Sequence, residues 1–226
     1  MTEDPLVMFA LMPLLAYFVG STPFGVLIAR VKGIDLRAVG SGNVGATNVG
    51  RSIGRKWGYL CFVLDVAKGL LPVMAAGALL KDQAVPSLMH QAAWLAVAFG
   101  AIAGHVFSFY LKFQGGKGVA TSMGVVLGIF PYFTWPGLCA AGVWILVTMI
   151  SRYVSLGSIV AAVSFVPIFV AFQWGKLGEL WPLLAFAVAM VALIVLRHGG
   201  NISRLFAGTE NKIGQSKDSA GAKSCP

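Results

Sequence analysis

A chain of 226 residues that is 58% hydrophobic and only 11% charged lacks the polar surface of a soluble globule of this size and has the balance of a polytopic membrane protein. Its net charge of +9 fits lysines and arginines gathered on the cytoplasmic side against anionic lipid, and no nucleic-acid partner is expected. Cys61, Cys139 and Cys225 are odd in number, scattered and without metal-ligand spacing, so neither a disulfide framework nor a zinc site is indicated.

About 20 apolar residues at 1.5 Å each cross a bilayer, so residues 6–29 form the first predicted span. Glu3 and Asp4 precede it where a cleaved signal carries basic residues, so the span is expected to stay. The following connection holds Gly40-Ser41-Gly42-Asn43-Val44-Gly45-Ala46-Thr47-Asn48 and then Arg51. Three glycines within six positions let the chain take positive φ and approach a ligand closely, while Ser41, Asn43, Thr47 and Asn48 offer neutral hydrogen-bond groups and Arg51 a charge. Such a segment reads as an oxyanion cradle; the plain alternative is a flexible polar loop.

Residues 57–80 make the second predicted span, with Asp65 and Lys68 at i, i+3 inside it. A charge at a helix centre costs about 2.5–3.5 kcal/mol, so the pair should face the bundle interior, as a structural ion pair or as a support for a substrate phosphate. Residues 91–111 form the third span, ending near His105, a packing histidine or a ligand contact. Next comes Gln114-Gly115-Gly116-Lys117-Gly118 before a helix starting near Val119, where a helix N-terminus, bare N–H groups and an ammonium could share one anion. The Walker spacing is missing, which disfavours nucleotide hydrolysis.

The uncharged run 119–150 would reach about 48 Å as one helix, beyond a core of about 30 Å. A break between Pro131 and Pro136 makes two helices of it. Ser151 to Ser155 connect to the last spans, 156–174 and 180–196, with Ser155 placed to cap a helix or to bond a ligand. His198 and Asn201 follow the last span, and residues 215–226 read as a disordered tail. The fold class is therefore an all-α integral membrane protein of seven transmembrane helices, with residues 1–214 as one domain. Arg30, Lys32, Arg37, Arg51, Arg55, Lys56, Lys112, Lys117, Arg152, Arg197, Arg204, Lys212, Lys217 and Lys223 then share one side, against Lys81 and Lys176, with Glu3, Asp4, Asp82 and Glu179, on the other. By the positive-inside rule the N-terminus is outside and the C-terminus cytoplasmic. Three histidines and few carboxylates without paired spacing give no metal site, and Ser41 lacks a nucleophile elbow.

Four blocks, in order, carry a family resemblance: Gly40 to Val49; Gly104-His105-Val106-Phe107 leading to Phe113 and on to Thr121; Arg152-Tyr153-Val154-Ser155-Leu156-Gly157-Ser158; and Arg197-His198 with Asn201-Ile202, Arg204-Leu205 and Gly208-Thr209-Glu210. The chain resembles the bacterial acyl-phosphate:glycerol-3-phosphate acyltransferases of the PlsY type. Gln114 stands where that family usually has lysine and Ser108 where it usually has proline. The resemblance implies acyl transfer from a fatty acyl phosphate to the sn-1 hydroxyl of glycerol 3-phosphate at the cytoplasmic face of the bacterial inner membrane. Lysophosphatidate is the implied product, formed without cofactor or metal. It also implies roles. The donor headgroup would rest on the backbone of the loop of Gly42, Asn43, Val44, Gly45, Ala46 and Thr47; from the residues themselves, Asn48, Lys68, His105, Gly115 and Gly116 are read as further substrate contacts. Ser41, Arg51, Lys117, Ser155, His198 and Asn201 would meet glycerol 3-phosphate, and His198 or the substrate's own phosphate would act as base. A transporter of a phosphorylated anion is the competing class, disfavoured because the polar groups gather at one face rather than at the midplane.

Overall fold

The computed structural model describes residues 4–79 and 86–214, all of them in helices, turns or irregular backbone. Glu3, Leu80, Lys81, Asp82 and the tail from Gln215, for which disorder is expected, lie outside the described residues. A π-helical turn, Val7–Leu11, leads into α1 (Met12–Ser21), followed by α2 (Phe24–Val31), α3 (Ala46–Ser52), α4 (Arg55–Leu79) and α5 (Leu88–Val106). Then come α6 (Val119–Gly128), α7 (Thr134–Ser151), α8 (Val154–Gln173), α9 (Trp181–Arg197) and α10 (Gly199–Phe206).

Five stretches among the described residues are long and apolar enough to cross a membrane: Val7–Val31, Arg55–Leu79, Leu88–Leu111, Thr134–Ser151 and Val154–Lys176. Helices α9 and α10, bent by 56°, make a sixth if taken together. Helix α6, at ten residues, rises only about 15 Å, half a hydrocarbon core. The break expected between Pro131 and Pro136 falls in the turn at residues 129–133, and Pro136 sits in the first turn of α7, where its missing N–H breaks no helix bond.

One expected helix is interrupted. Thr22 turns out to ψ 117° before Pro23, so the first span splits into α1 and α2. The break turns the Thr22 carbonyl out of the ladder, and Lys68 Nζ donates to it at 2.8 Å.

Small residues hold the bundle close, as in lipid, where packing rather than water drives association. Helix α1 lies along α5 and α4 along α6. A Cβ on Gly20 would strike the Ala101 carbonyl, one on Gly69 the Thr121 carbonyl and one on Gly124 the Val66 carbonyl. The main core runs from Trp94 and Val97 to an aromatic group of Phe133, Phe165 and Phe169. A smaller cluster of Ala29, Leu36, Val44, Val49 and Cys61 packs between α2, α3 and α4.

Candidate active site

The loop between α2 and α3 is built around one amide. Asn48, 1% exposed, donates from Nδ2 to the carbonyls of Leu36 (3.0 Å) and Val39 (3.1 Å) and accepts the Ser41 N–H at 2.9 Å. Both hydrogen-bonding ends of Asn48 are thus spent on the loop, and its contribution is to hold Ser41 in place. Gly40 and Gly42 take positive φ, 60° and 68°, as the sequence predicts. Gly45 does not: at φ −87° and ψ 168° it is the extended N-cap of α3, with its N–H bonded to Asn43 Oδ1 at 3.0 Å. Ala46 is half-buried and Thr47 exposed on the first turn of α3.

Across from this loop lies the Gln114 to Gly118 segment. The bare N–H groups expected at Gly115 and Gly116 are occupied, donating to the carbonyls of Val106 and His105 at 3.1 Å each. Their glycine identity serves packing instead, since a Cβ on Gly115 would meet the His105 carbonyl and one on Gly116 the His105 ring. Arg37 reaches over from the α2–α3 loop and donates to the Gln114 carbonyl at 2.8 Å and to Gln114 Oε1 at 3.3 Å. Arg37, Ser41, Gly42, Asn43, Val44, Gln114 and Gly115 line a cleft of about 300 Å³.

Beyond Gly116 the polar groups converge on a carboxylate. Lys117 Nζ donates to Asn201 Oδ1. Asn201 Nδ2 donates to Glu210 Oε1 at 2.7 Å, Ser155 Oγ to the same oxygen at 2.8 Å, and Arg204 Nε to Oε2 at 2.8 Å. Ser155 is not the cap of α8: its hydroxyl points at Glu210, and Tyr153 holds the N-cap position. Arg51 extends from α3 to the Asn211 carbonyl at 3.0 Å. Burial pushes the Lys117 ammonium down to about 8; Glu210 pulls it up, while Arg204, Arg51 and Arg197 push it further down. Glu210 is disfavoured as an anion by burial, yet the hydrogen bonds from Asn201, Ser155 and Arg204 leave it below the usual carboxylate range.

His198 occupies the elbow between α9 and α10, 2% exposed, with Nδ1 2.8 Å from the Ile194 carbonyl. A carbonyl only accepts, so Nδ1 carries the proton and Nε2 keeps its lone pair. Arg197 donates to the carbonyls of Gly115 (3.3 Å) and Gly116 (3.2 Å), tying the end of α9 to the glycine segment.

Lys68 and His105 stand apart from that carboxylate centre, in a buried cluster where α4, α5 and α6 meet. Asp65 Oδ1 is 2.7 Å from Lys68 Nζ and 3.8 Å from His105 Nδ1, which lies 3.0 Å from Thr121 Oγ1. Asp65, Lys68 and His105 themselves line a small gap, with Thr22, Val44 and Gly116 among its other walls, so Val44 faces both it and the larger cleft. Ser108, buried, donates to the Ser21 carbonyl at 2.6 Å.

Residues 10–208 match the protein family described as Glycerol-3-phosphate acyltransferase. The chain belongs to that family. The glycerol-3-phosphate acyltransferase of Trichlorobacter lovleyi is 45% identical over 198 residues, covering 88% of this chain and 94% of that protein. The one from Geobacter sulfurreducens is 45% identical over 200 residues, with the same coverage. Crystal structures of PlsY, an integral membrane glycerol 3-phosphate acyltransferase, superpose closely. Its glycerol 3-phosphate form gives a TM-score of 0.77 at 38% identity over 90% of this chain and 94% of that one, and its lysophosphatidic acid form a TM-score of 0.75 at 36%.

Within this acyltransferase framework the sequence reading missed Glu210, Arg37 and Arg197 as parts of the site. Glu210 lies in the last block of the resemblance and is a lone acid in a basic segment. Its centrality depends on contacts from α8 and α10 together, which no local pattern encodes.

Proposed function

We propose that this membrane protein transfers a fatty acyl group from acyl phosphate to the sn-1 hydroxyl of glycerol 3-phosphate. Lysophosphatidate and inorganic phosphate are released, in the first step of phospholipid synthesis. The reading places the site at the cytoplasmic face of the bacterial inner membrane, in a seven-crossing bundle with its N-terminus outside. One observation carries it. Lys117, Asn201, Ser155 and Arg51, from four segments separated by long apolar helices, converge around Glu210 and Asn211, next to the cleft lined by Ser41 and its glycines. A polar cleft and, next to it, a cation-rich hydrogen-bonded network suit two phosphate-bearing substrates.

Arg51, Lys117, Ser155 and Asn201 would bind the phosphate of glycerol 3-phosphate and turn its sn-1 hydroxyl toward the donor. The loop from Gly42 to Thr47 would hold the donor headgroup, with Lys68 and His105 behind it and Ser41 at its edge toward glycerol 3-phosphate. Attack of the hydroxyl oxygen on the acyl carbonyl breaks the anhydride C–O bond, and phosphate leaves with the electron pair. Phosphate is a good leaving group, so positioning and charge stabilisation supply most of the acceleration. The hydroxyl proton passes to His198 Nε2 or to a substrate phosphate oxygen. Purified protein given palmitoyl phosphate and labelled glycerol 3-phosphate should make labelled lysophosphatidate and one phosphate per turnover. Binding of label without any product would point to a carrier instead.

A further inference from the structure

The cleft between the Ser41 loop and Gln114 contains a cation to which the reaction as written gives no role. Among the described residues that line it, Arg37 alone carries charge. Its backbone N–H is fixed by Asp35 Oδ1 at 3.0 Å, and among the described residues no carboxylate pairs with its guanidinium. Both side-chain bonds go to Gln114, a neutral residue. The 2.8 Å bond to the backbone carbonyl sets the fork in place, while the 3.3 Å bond to Oε1 is long and easily exchanged. A guanidinium has five N–H donors in a fixed planar fork, so most remain for a ligand. Bonds from it to phosphate oxygen carry charge on both partners and can be bidentate, whereas the bond to Gln114 Oε1 that they would replace has a neutral acceptor.

The two phosphate substrates differ in what adjoins the phosphate. Only the donor carries an acyl chain, which needs an apolar exit. Val44, on the wall of the cleft, belongs to an apolar cluster against which Val26, Ile28 and Leu111 pack, whereas the Lys117 centre is ringed by Ser155, Asn201, Arg204 and Glu210. We infer that Arg37 is a further binding residue of the acyl donor, gripping its phosphate across the cleft from the Ser41 loop, with Gln114 holding the guanidinium ready. This rests on the acyl-phosphate reading above.

Initial rates with palmitoyl phosphate and glycerol 3-phosphate test it. Losing a charged hydrogen bond should raise the donor KM of Arg37→Ala by about tenfold or more, while the glycerol 3-phosphate KM stays within about twofold and so reports an intact fold. Because Gln114 stands on the opposite wall, Arg37→Ala combined with Gln114→Lys returns a cation to the cleft and should recover most of the loss. If Arg37→Ala does not fold, Arg37→Gln, which keeps a donor but drops the charge, carries the same comparison. An unchanged donor KM, a parallel rise in both KM values, or a double variant no better than the single one overturns the assignment. Should the wild type make no lysophosphatidate, the acyl-phosphate reading falls. Arg37 is then judged by inorganic phosphate binding, followed by tryptophan fluorescence: weaker binding in Arg37→Ala sustains the phosphate grip, and equal binding refutes it.

Discussion

Lys117 is the residue through which pH reaches this site. With its ammonium pushed down to about 8 by burial and three guanidiniums, it loses its charge in the empty enzyme well before an ordinary lysine does. A phosphate monoester is fully dianionic only above its second pKa of about 6. Cation and dianion therefore coexist chiefly between about pH 6 and 8. As pH rises through 8 the neutral amine accumulates, so kcat/KM for glycerol 3-phosphate should fall on the alkaline side. Bound dianion favours the ammonium, so the corresponding limb of kcat should lie at higher pH. Glu210 opposes the downward push, and Glu210→Gln removes that opposition. The alkaline limb of kcat/KM should then move to lower pH, along with some loss of thermal stability from unpairing Arg204 and loosening Ser155 and Asn201. Loss of stability with an unmoved limb would reduce Glu210 to a scaffold residue.

Paired helices place these residues, and their contact seams are glycines. At Gly124 a side chain would meet the Val66 carbonyl, so Gly124→Leu must push α6 off α4. Overpacking of this kind costs about 1–3 kcal/mol, and here it also shifts Lys117 at the head of α6. Thermal unfolding in detergent and the acyltransfer rate should both drop. Gly142→Leu, on α7 with nothing within 4 Å of the new Cβ, should leave both unchanged. The apolar runs behind these helices were legible because bilayer thickness imposes a length on them, and the Pro131 break because a single helix there would overshoot that thickness. The Thr22–Pro23 break was not, since a proline following two small polar residues, Ser21 and Thr22, in an apolar run looks like a tolerated kink. Its meaning appears only when Lys68, from another helix, takes up the released carbonyl. The glycines of residues 115 and 116 were legible as special but misread: the pattern showed that no side chain fits, not that His105 was the reason.

For the whole molecule, cross-segment bonds constrain topology more tightly than helix length does. Arg37 meets Gln114, Lys117 meets Asn201 and Ser155 meets Glu210, so the ends of α2, α5, α7 and α9 must share one side of the bilayer. The pair α6 and α7 has to return to its starting side, yet its arms are unequal, about 15 Å and 27 Å for ten and 18 residues. The turn at residues 129–133 takes up part of that difference. The rest is removed if α6 starts deeper than α7 ends, which recesses Lys117 into the headgroup region, where a lipid-borne donor and a water-borne acceptor can meet. Single cysteines in an otherwise cysteine-free chain separate the possibilities. With a membrane-impermeant thiol reagent, Lys56→Cys, Lys112→Cys and Ser203→Cys should react only in inside-out vesicles, and Lys176→Cys only from the outside. Trp135→Cys, exposed at the start of α7, should react from the outside if the α6–α7 pair crosses fully. Protection of Trp135→Cys from both sides would mean that the pair turns back within the bilayer, leaving five crossings and the same active face. Labelling of Lys56→Cys and Lys112→Cys from opposite sides would pull the two walls of the cleft apart and end the assignment of the site.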